Sequence, residues 1–330
     1  MRSKKRREIE LRDLFRTRNR GMRSLLATVE KLVDHDVPVL ILGESGVGKN
    51  HLASAIHACG ARRKLPFVHI DCASIPHDLF ESELFGYEPG TFTDAKVRRI
   101  GKLEAAKDGT VYFDEIAALT TPLQAKLLRA IEEKRFTRLG GHQNVAFAAR
   151  VIVSTNVDLD GLVARGEFRR DLFYRINVVT LTLPPLRERR EDIPLLAAGF
   201  LRVARVARRS EAAGSTPARK ILRGFEPEAL EVLTGYPWPG NIRELKNVVE
   251  RAALLEDSDR IGVGSLAERL RDATSLVSAA VCDQWTLDEL EKRYIREILR
   301  QTKSNFSRAA TILGINRKTL LEKRRKYGLE

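Results

Sequence analysis

The chain has 330 residues, enough for two or three domains, and its 43% hydrophobic and 31% charged residues are the balance of a globular protein. No apolar run reaches the roughly 18 residues a membrane span needs, and no apolar segment follows the basic N-terminus as in a secretory signal. The expected location is the cytoplasm with no membrane partner, while a net charge of +14 and a pI near 9.9 call for a polyanionic partner, nucleic acid first.

The charge collects in residues 2–20, in 202–223 and in the last fifteen residues. Lys4-Lys5-Arg6-Arg7 reads either as a solvated arm or as a DNA contact. Cys59, Cys72 and Cys282 are odd in number and lack CxxC spacing, which argues against a zinc site and a disulfide framework. All three are expected reduced and structural.

Strand-like runs at 37–42, 67–71, 110–114, 151–155 and 178–183 alternate with amphipathic helical text, the pattern of βαβ units and a largely parallel sheet. Pro184-Pro185 ends this pattern. From 193 to 255 the text is helical, with a Pro/Trp/Gly interruption at 236–240, as in a separate helical subdomain. Residues 262–280 read as a linker, and 286–329 are helical again.

The first strand runs into Gly43-Glu44-Ser45-Gly46-Val47-Gly48-Lys49, followed by helical text from Asn50, which is GxxxxGK in the strand-loop-helix setting it requires. Glycines there let backbone N–H groups turn around phosphate oxygens, the helix N-terminus adds its dipole, and Lys49 brings a cation to the β and γ phosphates. The serine or threonine usual after the lysine is Asn50, so one magnesium-ligand hydroxyl is missing. Some seventy residues on, a strand ends in Asp114-Glu115. An acidic pair after a strand also serves as a helix N-cap. Beside a phosphate loop it becomes a second nucleotide motif, with Asp114 holding Mg2+ and Glu115 polarising the attacking water.

The segments GESGVGKN, ESELFGYEPGTFTDA, GTVYFDEI, LQAKLLRAIEE, FRRDLFYRINV, LPPLRER and WPGNIRELKN follow one another from about Gly21 onward. Together they resemble the sigma-54-dependent transcriptional activators, the bacterial enhancer-binding proteins. The resemblance implies an α/β AAA+ parallel-sheet P-loop core with a helical lid, then an all-α helix-turn-helix of the Fis type. It implies a homo-oligomer, dimer to hexamer, that hydrolyses ATP with Mg2+ and remodels the closed complex of sigma-54 RNA polymerase from upstream enhancer-like DNA sites. Asn156 takes the place of the γ-phosphate sensor, Arg169 and Arg175 those of the arginine fingers, and Arg243 that of the lid arginine. A guanidinium at the γ-phosphate stabilises charge that develops in the transition state, although either arginine alone also fits an ordinary salt bridge.

Two departures stand out. The family's sigma-54 loop is GAFTGA, and here it is Gly90-Thr91-Phe92-Thr93-Asp94-Ala95. Phe92 and Thr93, the expected sigma-factor contacts, are retained, while Asp94 removes a glycine's backbone freedom and adds a charge per subunit. Asp71 stands where the family commonly has an asparagine that restrains the catalytic glutamate, so repulsion from Glu115 is expected. These departures keep open an alternative: a DNA-bound AAA+ regulator with altered or lost sigma-54 remodelling, acting on another polymerase form or as an assembly switch.

Residues 286–329 resemble the Fis-type helix-turn-helix. A first helix carries Ala309, Ala310, Ile312 and Leu313 as its apolar face, Gly314 makes the turn, and a second helix opens near Asn316. Asn316, Arg317, Lys318 and Thr319 are placed for base edges in the major groove, with Lys323 and Arg324 towards phosphate. The helix from 287 to 299 is expected to pair two copies. The expected domains are a basic arm (1–20), an ATPase core (21–185), a helical lid (186–262), a linker (263–283) and a DNA-binding domain (284–330). With about twenty residues ahead of the core and no receiver domain expected among them, regulation is expected to act through a separate protein in trans or through abundance.

Overall fold

The computed structural model describes residues 11–92, 95–211, 222–266, 270, 284–302 and 305–329. They form two compact units, one running to Leu196 and taking in Pro239–Leu245, the other made of Ala197–Trp238 and the chain from Lys246 on.

The first unit contains, in chain order, α1 (Leu11–Leu14), α2 (Arg20–Leu32), β1 (Val39–Leu42), α3 (Lys49–Cys59), β2 (Phe67–Asp71), α4 (His77–Phe85), β3 (Gly86–Tyr87), β4 (Arg99–Ile100), α5 (Lys102–Ala105) and β5 (Thr110–Asp114). It continues with α6 (Thr121–Glu133), β6 (Arg135–Thr137), β7 (Asn144–Ala146), β8 (Arg150–Thr155), α7 (Leu159–Ala164), α8 (Arg170–Ile176) and β9 (Val179–Thr182). β2, β5, β8, β1 and β9 lie in that order in one parallel sheet, the five strands read from the sequence. Every residue of β8 is buried, as are the first four of β5, because helices cover both faces. That is why these strands are near-continuous apolar runs. One face packs Phe80, Leu84, Leu127 and Phe113; the other packs Val29, Leu52, Ile56 and Tyr112.

Packing begins at Leu11, inside the segment expected to be a basic arm. Leu11 is buried, and Leu14 and Phe15 join the same core, since the i, i+3, i+4 spacing puts all three on one face. The buried Asp192 carboxylate then accepts from Thr17 Oγ (2.6 Å) and from the Arg18 and Asn19 N–H groups (2.6 and 3.3 Å). Lys4 to Arg7 lie outside the described residues. Within 186–262, expected as the lid, Pro239–Leu245 clusters with the first unit, where the Ile242 and Arg243 N–H groups both donate to the Gly46 carbonyl (3.0 and 3.3 Å). Cys59 and Cys72 are buried thiols, and Cys282 lies outside the described residues.

Further α-helices among the described residues are α9 (Ile193–Glu211), α10 (Pro227–Gly235), α11 (Asn241–Leu255), α12 (Leu287–Gln301), α13 (Phe306–Leu313) and α14 (Arg317–Tyr327). Trp238 is fully buried, with its indole N–H donating to the Leu233 carbonyl (2.8 Å). A reciprocal capping box of Thr286 and Glu289 starts α12. Gly314 ends α13 in the left-handed conformation (φ +66°), which only glycine adopts without strain. Ile295, Ile298, Leu299, Ala309, Ala310, Leu320 and Tyr327 form the core of this three-helix group. Ile312, expected on the apolar face of α13, points outward at 49% exposure.

Candidate nucleotide site and DNA-binding helices

The sheet order sets the C-terminal ends of β1, β5 and β8 side by side, and open parallel sheets bind ligands at such ends. The loop after β1 turns on Gly43, Gly46 and Gly48 (φ +153°, +74° and +108°). A Cβ on Gly46 would lie 2.4 Å from the Gly240 carbonyl, so only glycine fits. Lys49 opens α3 at 6% exposure, its ammonium donating to the Gly43 carbonyl and pairing with Glu115 Oε1, both at 3.0 Å. Glu115 sits at φ +53°, a left-handed conformation rare for a side chain with a Cβ and a form of strain found at functional sites. Its Oε2 accepts from the Asn156 N–H (3.1 Å) at the end of β8. The phosphate loop, the acidic pair and the sensor position thus converge on one carboxylate.

Asp114 is gripped from behind. Its Oδ1 accepts from Ser154 Oγ (2.5 Å) and lies 3.0 Å from the Tyr112 hydroxyl, which also reaches Asn50 Oδ1 (2.8 Å). Burial, with Asp114 and Glu115 close by, pushes the Tyr112 phenol well above its ordinary range. Asp71, expected to repel Glu115, turns its Oδ1 to its own loop, accepting from the Ala73 N–H (3.1 Å). Burial raises the Cys72 thiol, and the charges of Asp114, Asp71 and Glu115 raise it further.

Glu44 is clamped. Arg187 donates to both its oxygens (2.9 and 2.7 Å) and Asn241 to one (3.0 Å). The Arg187 guanidinium holds the Glu44 carboxyl below its usual range against the effect of burial. Arg189 donates to the Val47 carbonyl (2.8 Å), and Arg243 reaches Ser45 Oγ (3.2 Å) from within the same chain. Segments 187–189 and 241–243 therefore hold the phosphate loop that Gly43–Lys49 draws.

Arg169 donates its N–H to Gln124 Oε1 (2.8 Å), and its guanidinium pairs with Asp171 (2.6 and 3.0 Å). Arg175 is exposed on α8 beside the 61%-exposed Tyr174. Among the described residues no hydrogen bond or ion pair links either arginine to Lys49, Asp114 or Glu115. Phe92 is 45% exposed and packs edge-on against Tyr87 at 4.8 Å. Thr91 Oγ ties that loop down, donating to the Glu88 carbonyl (2.6 Å) with Leu139 O at 3.1 Å. Thr93 and Asp94 lie outside the described residues.

In the C-terminal helices Asn316 caps α14, accepting from the Thr319 N–H (2.8 Å). Lys323 pairs with Glu291 of α12 (2.6 Å), and Arg324 donates to the Leu329 carbonyl (2.5 Å) while lying over the Phe306 ring at 5.1 Å. Arg317, Lys318 and Arg325 are exposed. Three of the six residues expected at DNA thus also hold the fold. The sequence reading missed Tyr112, Ser154, Gln124, Arg187, Arg189 and Asn241. Tyr112, Gln124, Arg187, Arg189 and Asn241 lie within the motifs that carry the resemblance, and polar residues at buried strand positions were the available signal for Tyr112 and Ser154.

Residues 15–182 match the model of the sigma-54 interaction domain, 187–280 that of the AAA+ ATPase lid domain, and 286–327 that of the bacterial regulatory protein, Fis family. The chain belongs to the sigma-54-dependent transcriptional regulators and carries their AAA+ ATPase domain. It is 42% identical over 321 residues to the regulatory protein AtoC of Escherichia coli, covering 95% of this chain and 68% of AtoC. It is 43% identical over 303 residues to the transcriptional regulatory protein ZraR of Salmonella typhimurium, covering 92% of this chain and 66% of ZraR. NtrX from Brucella abortus, solved in complex with ADP, superposes with a TM-score of 0.70 at 32% identity, covering 96% of this chain and 70% of NtrX. The chain thus spans about two thirds of the length of these relatives. Among the described residues no helix is long and apolar enough to cross a membrane.

Proposed function

We propose that copies of this chain assemble into a ring, bind DNA through α13 and α14, and hydrolyse ATP to remodel a closed complex of sigma-54 RNA polymerase. The observation that carries the reading is the convergence of Lys49 and the Asn156 backbone on Glu115, in a chain that also exposes Phe92 on its own loop. Glu115 orients and polarises the attacking water, and Lys49 leaves it for the β and γ phosphates when nucleotide enters. Magnesium fits at Asp114, because Mg2+ is commonly held by one or two carboxylates, water and substrate phosphates. Held there, the ion would supply positive charge to the transferring phosphoryl group. Arg169, at the start of α8, and Arg175, in its last turn, supply guanidinium to a neighbouring copy's nucleotide.

The test is open-complex formation at a sigma-54 promoter with purified protein and ATP. Activation is expected, and Asp94→Gly should raise it without a matching rise in ATPase rate. DNA binding and hydrolysis without open complexes in either form would favour the alternative, a regulator that has lost remodelling. Equal activation by both across a range of salt would make Asp94 functionally silent.

A further inference from the structure

A P-loop ordinarily places a serine or threonine hydroxyl after its lysine as a magnesium ligand, and this chain has Asn50 there. A hydroxyl nevertheless sits beside that position, supplied by another element. Tyr112 rises from the middle of β5, fully buried, its ring stacked 5.0 Å from His69 and 6.1 Å from Phe67. Its oxygen lies 2.8 Å from Asn50 Oδ1, 2.7 Å from Ser154 Oγ and 3.0 Å from Asp114 Oδ1. Three elements, α3, β5 and β8, meet at one phenol.

The protons can be counted. Ser154 Oγ stands 2.5 Å from Asp114 Oδ1 and gives its proton there. Tyr112 has a single proton for the acceptors around it. With the Asn50 amide turned so that Nδ2 donates to the phenol oxygen, every donor is used when the phenol proton lies between Ser154 Oγ (2.7 Å) and Asp114 Oδ1 (3.0 Å). Asp114 Oδ1 then accepts a charge-assisted bond from Ser154 and shares the phenol proton, both hydroxyls standing on buried strands. Oδ2, with the His69 ring nitrogen at 3.7 Å, is the oxygen left for a cation.

We propose that Tyr112 is a positioning residue for the nucleotide's divalent cation: with Ser154 it fixes one oxygen of Asp114, aims the other at the ion, and through Asn50 ties that carboxylate to the P-loop helix. This rests on Asp114 as the magnesium residue. The hydroxyl missing from the loop is replaced by one that acts through the acidic ligand.

The experiment is equilibrium binding of a fluorescent ATP analogue to the full chain, titrated with Mg2+ at fixed nucleotide, for wild type and Tyr112→Phe. The substitution keeps the buried ring and removes only the hydroxyl. The Mg2+ midpoint should rise about tenfold, as expected for losing one hydrogen bond to a charged group, while binding in chelator is unchanged. Asn50→Ser in the Tyr112→Phe background should move the midpoint part of the way back by returning a hydroxyl to the loop. An unchanged midpoint overturns the proposal, and so does equal weakening with and without Mg2+, which marks a purely structural phenol. A wild type whose nucleotide binding ignores Mg2+ instead rejects Asp114 as the magnesium residue, and the proposal falls with it.

Discussion

The nucleotide crevice and the C-terminal helices both rest on basic residues, but the two regions use them differently. Lys49 is 6% exposed and held by Glu115 and a backbone carbonyl, whereas Arg317, Lys318 and Arg325 stand in solvent. A charge fixed in a low-dielectric crevice is expensive to leave unpaired, and its geometry is set before the ligand arrives. An exposed charge costs little to hold and little to lose. The same residue type therefore predicts all-or-none chemistry in one region and graded affinity in the other.

The sharpest way to break this comparison is at Glu115. Glu115→Gln should retain ATP binding and lose turnover by about 100-fold or more, the range of a positioned general base. Lys49→Ala should instead fail at nucleotide binding, measured with the same analogue. A Glu115→Gln protein that hydrolyses at the wild-type rate would remove the water-polarising role.

Next in size is the shared site. Specific ATPase activity should rise with protein concentration, and mixing Arg175→Ala with Glu115→Gln protein should recover turnover by pairing intact half-sites. Activity that is independent of dilution down to the monomer rules out fingers acting between copies.

In the DNA-binding region the effects should be smaller and separable. Arg317→Ala is expected to cost about 1 to 3 kcal/mol on cognate DNA and to relax base preference. Arg325→Ala should weaken cognate and random DNA alike and flatten the salt dependence. Lys323→Ala sharpens the comparison, since its bond to Glu291 of α12 predicts a fall in thermal stability as well as in affinity. Gel-shift titrations at several salt concentrations, with melting curves, separate the three.

The smallest expected effect is a pH dependence in the second unit. Burial pushes the Glu256 carboxyl up, but the Ser265 hydroxyl and the Ser258 and Gly262 N–H groups outweigh it and hold it at about 2. A carboxyl lowered on folding contributes stability that is fully present above its ordinary value of 4.5 and fades as pH falls towards about 2. Glu256→Gln should flatten that part of a melting-temperature profile.

What the sequence determined by itself was what depends on a few neighbouring residues. The five strands were legible because burial on both faces demands continuous apolar runs, and the phosphate loop because glycine spacing and Lys49 act within one turn of chain. Asp114 and Glu115 were legible because a strand end fixes where the next side chains go. Tertiary structure decided whatever needed a partner far along the chain. Tyr112 and Ser154 stand on different strands and meet only when β5 and β8 pair. Asn241 reaches Glu44 across almost two hundred residues, and Leu11, in text dominated by positive charge, is buried because α1 lies on α3. In α14 composition marked a basic helix, but which cations face solvent depends on Glu291 and Phe306 of neighbouring helices. Local periodicity records which face of an element is apolar; which polar groups become partners is set by chain topology, which no short window of sequence contains.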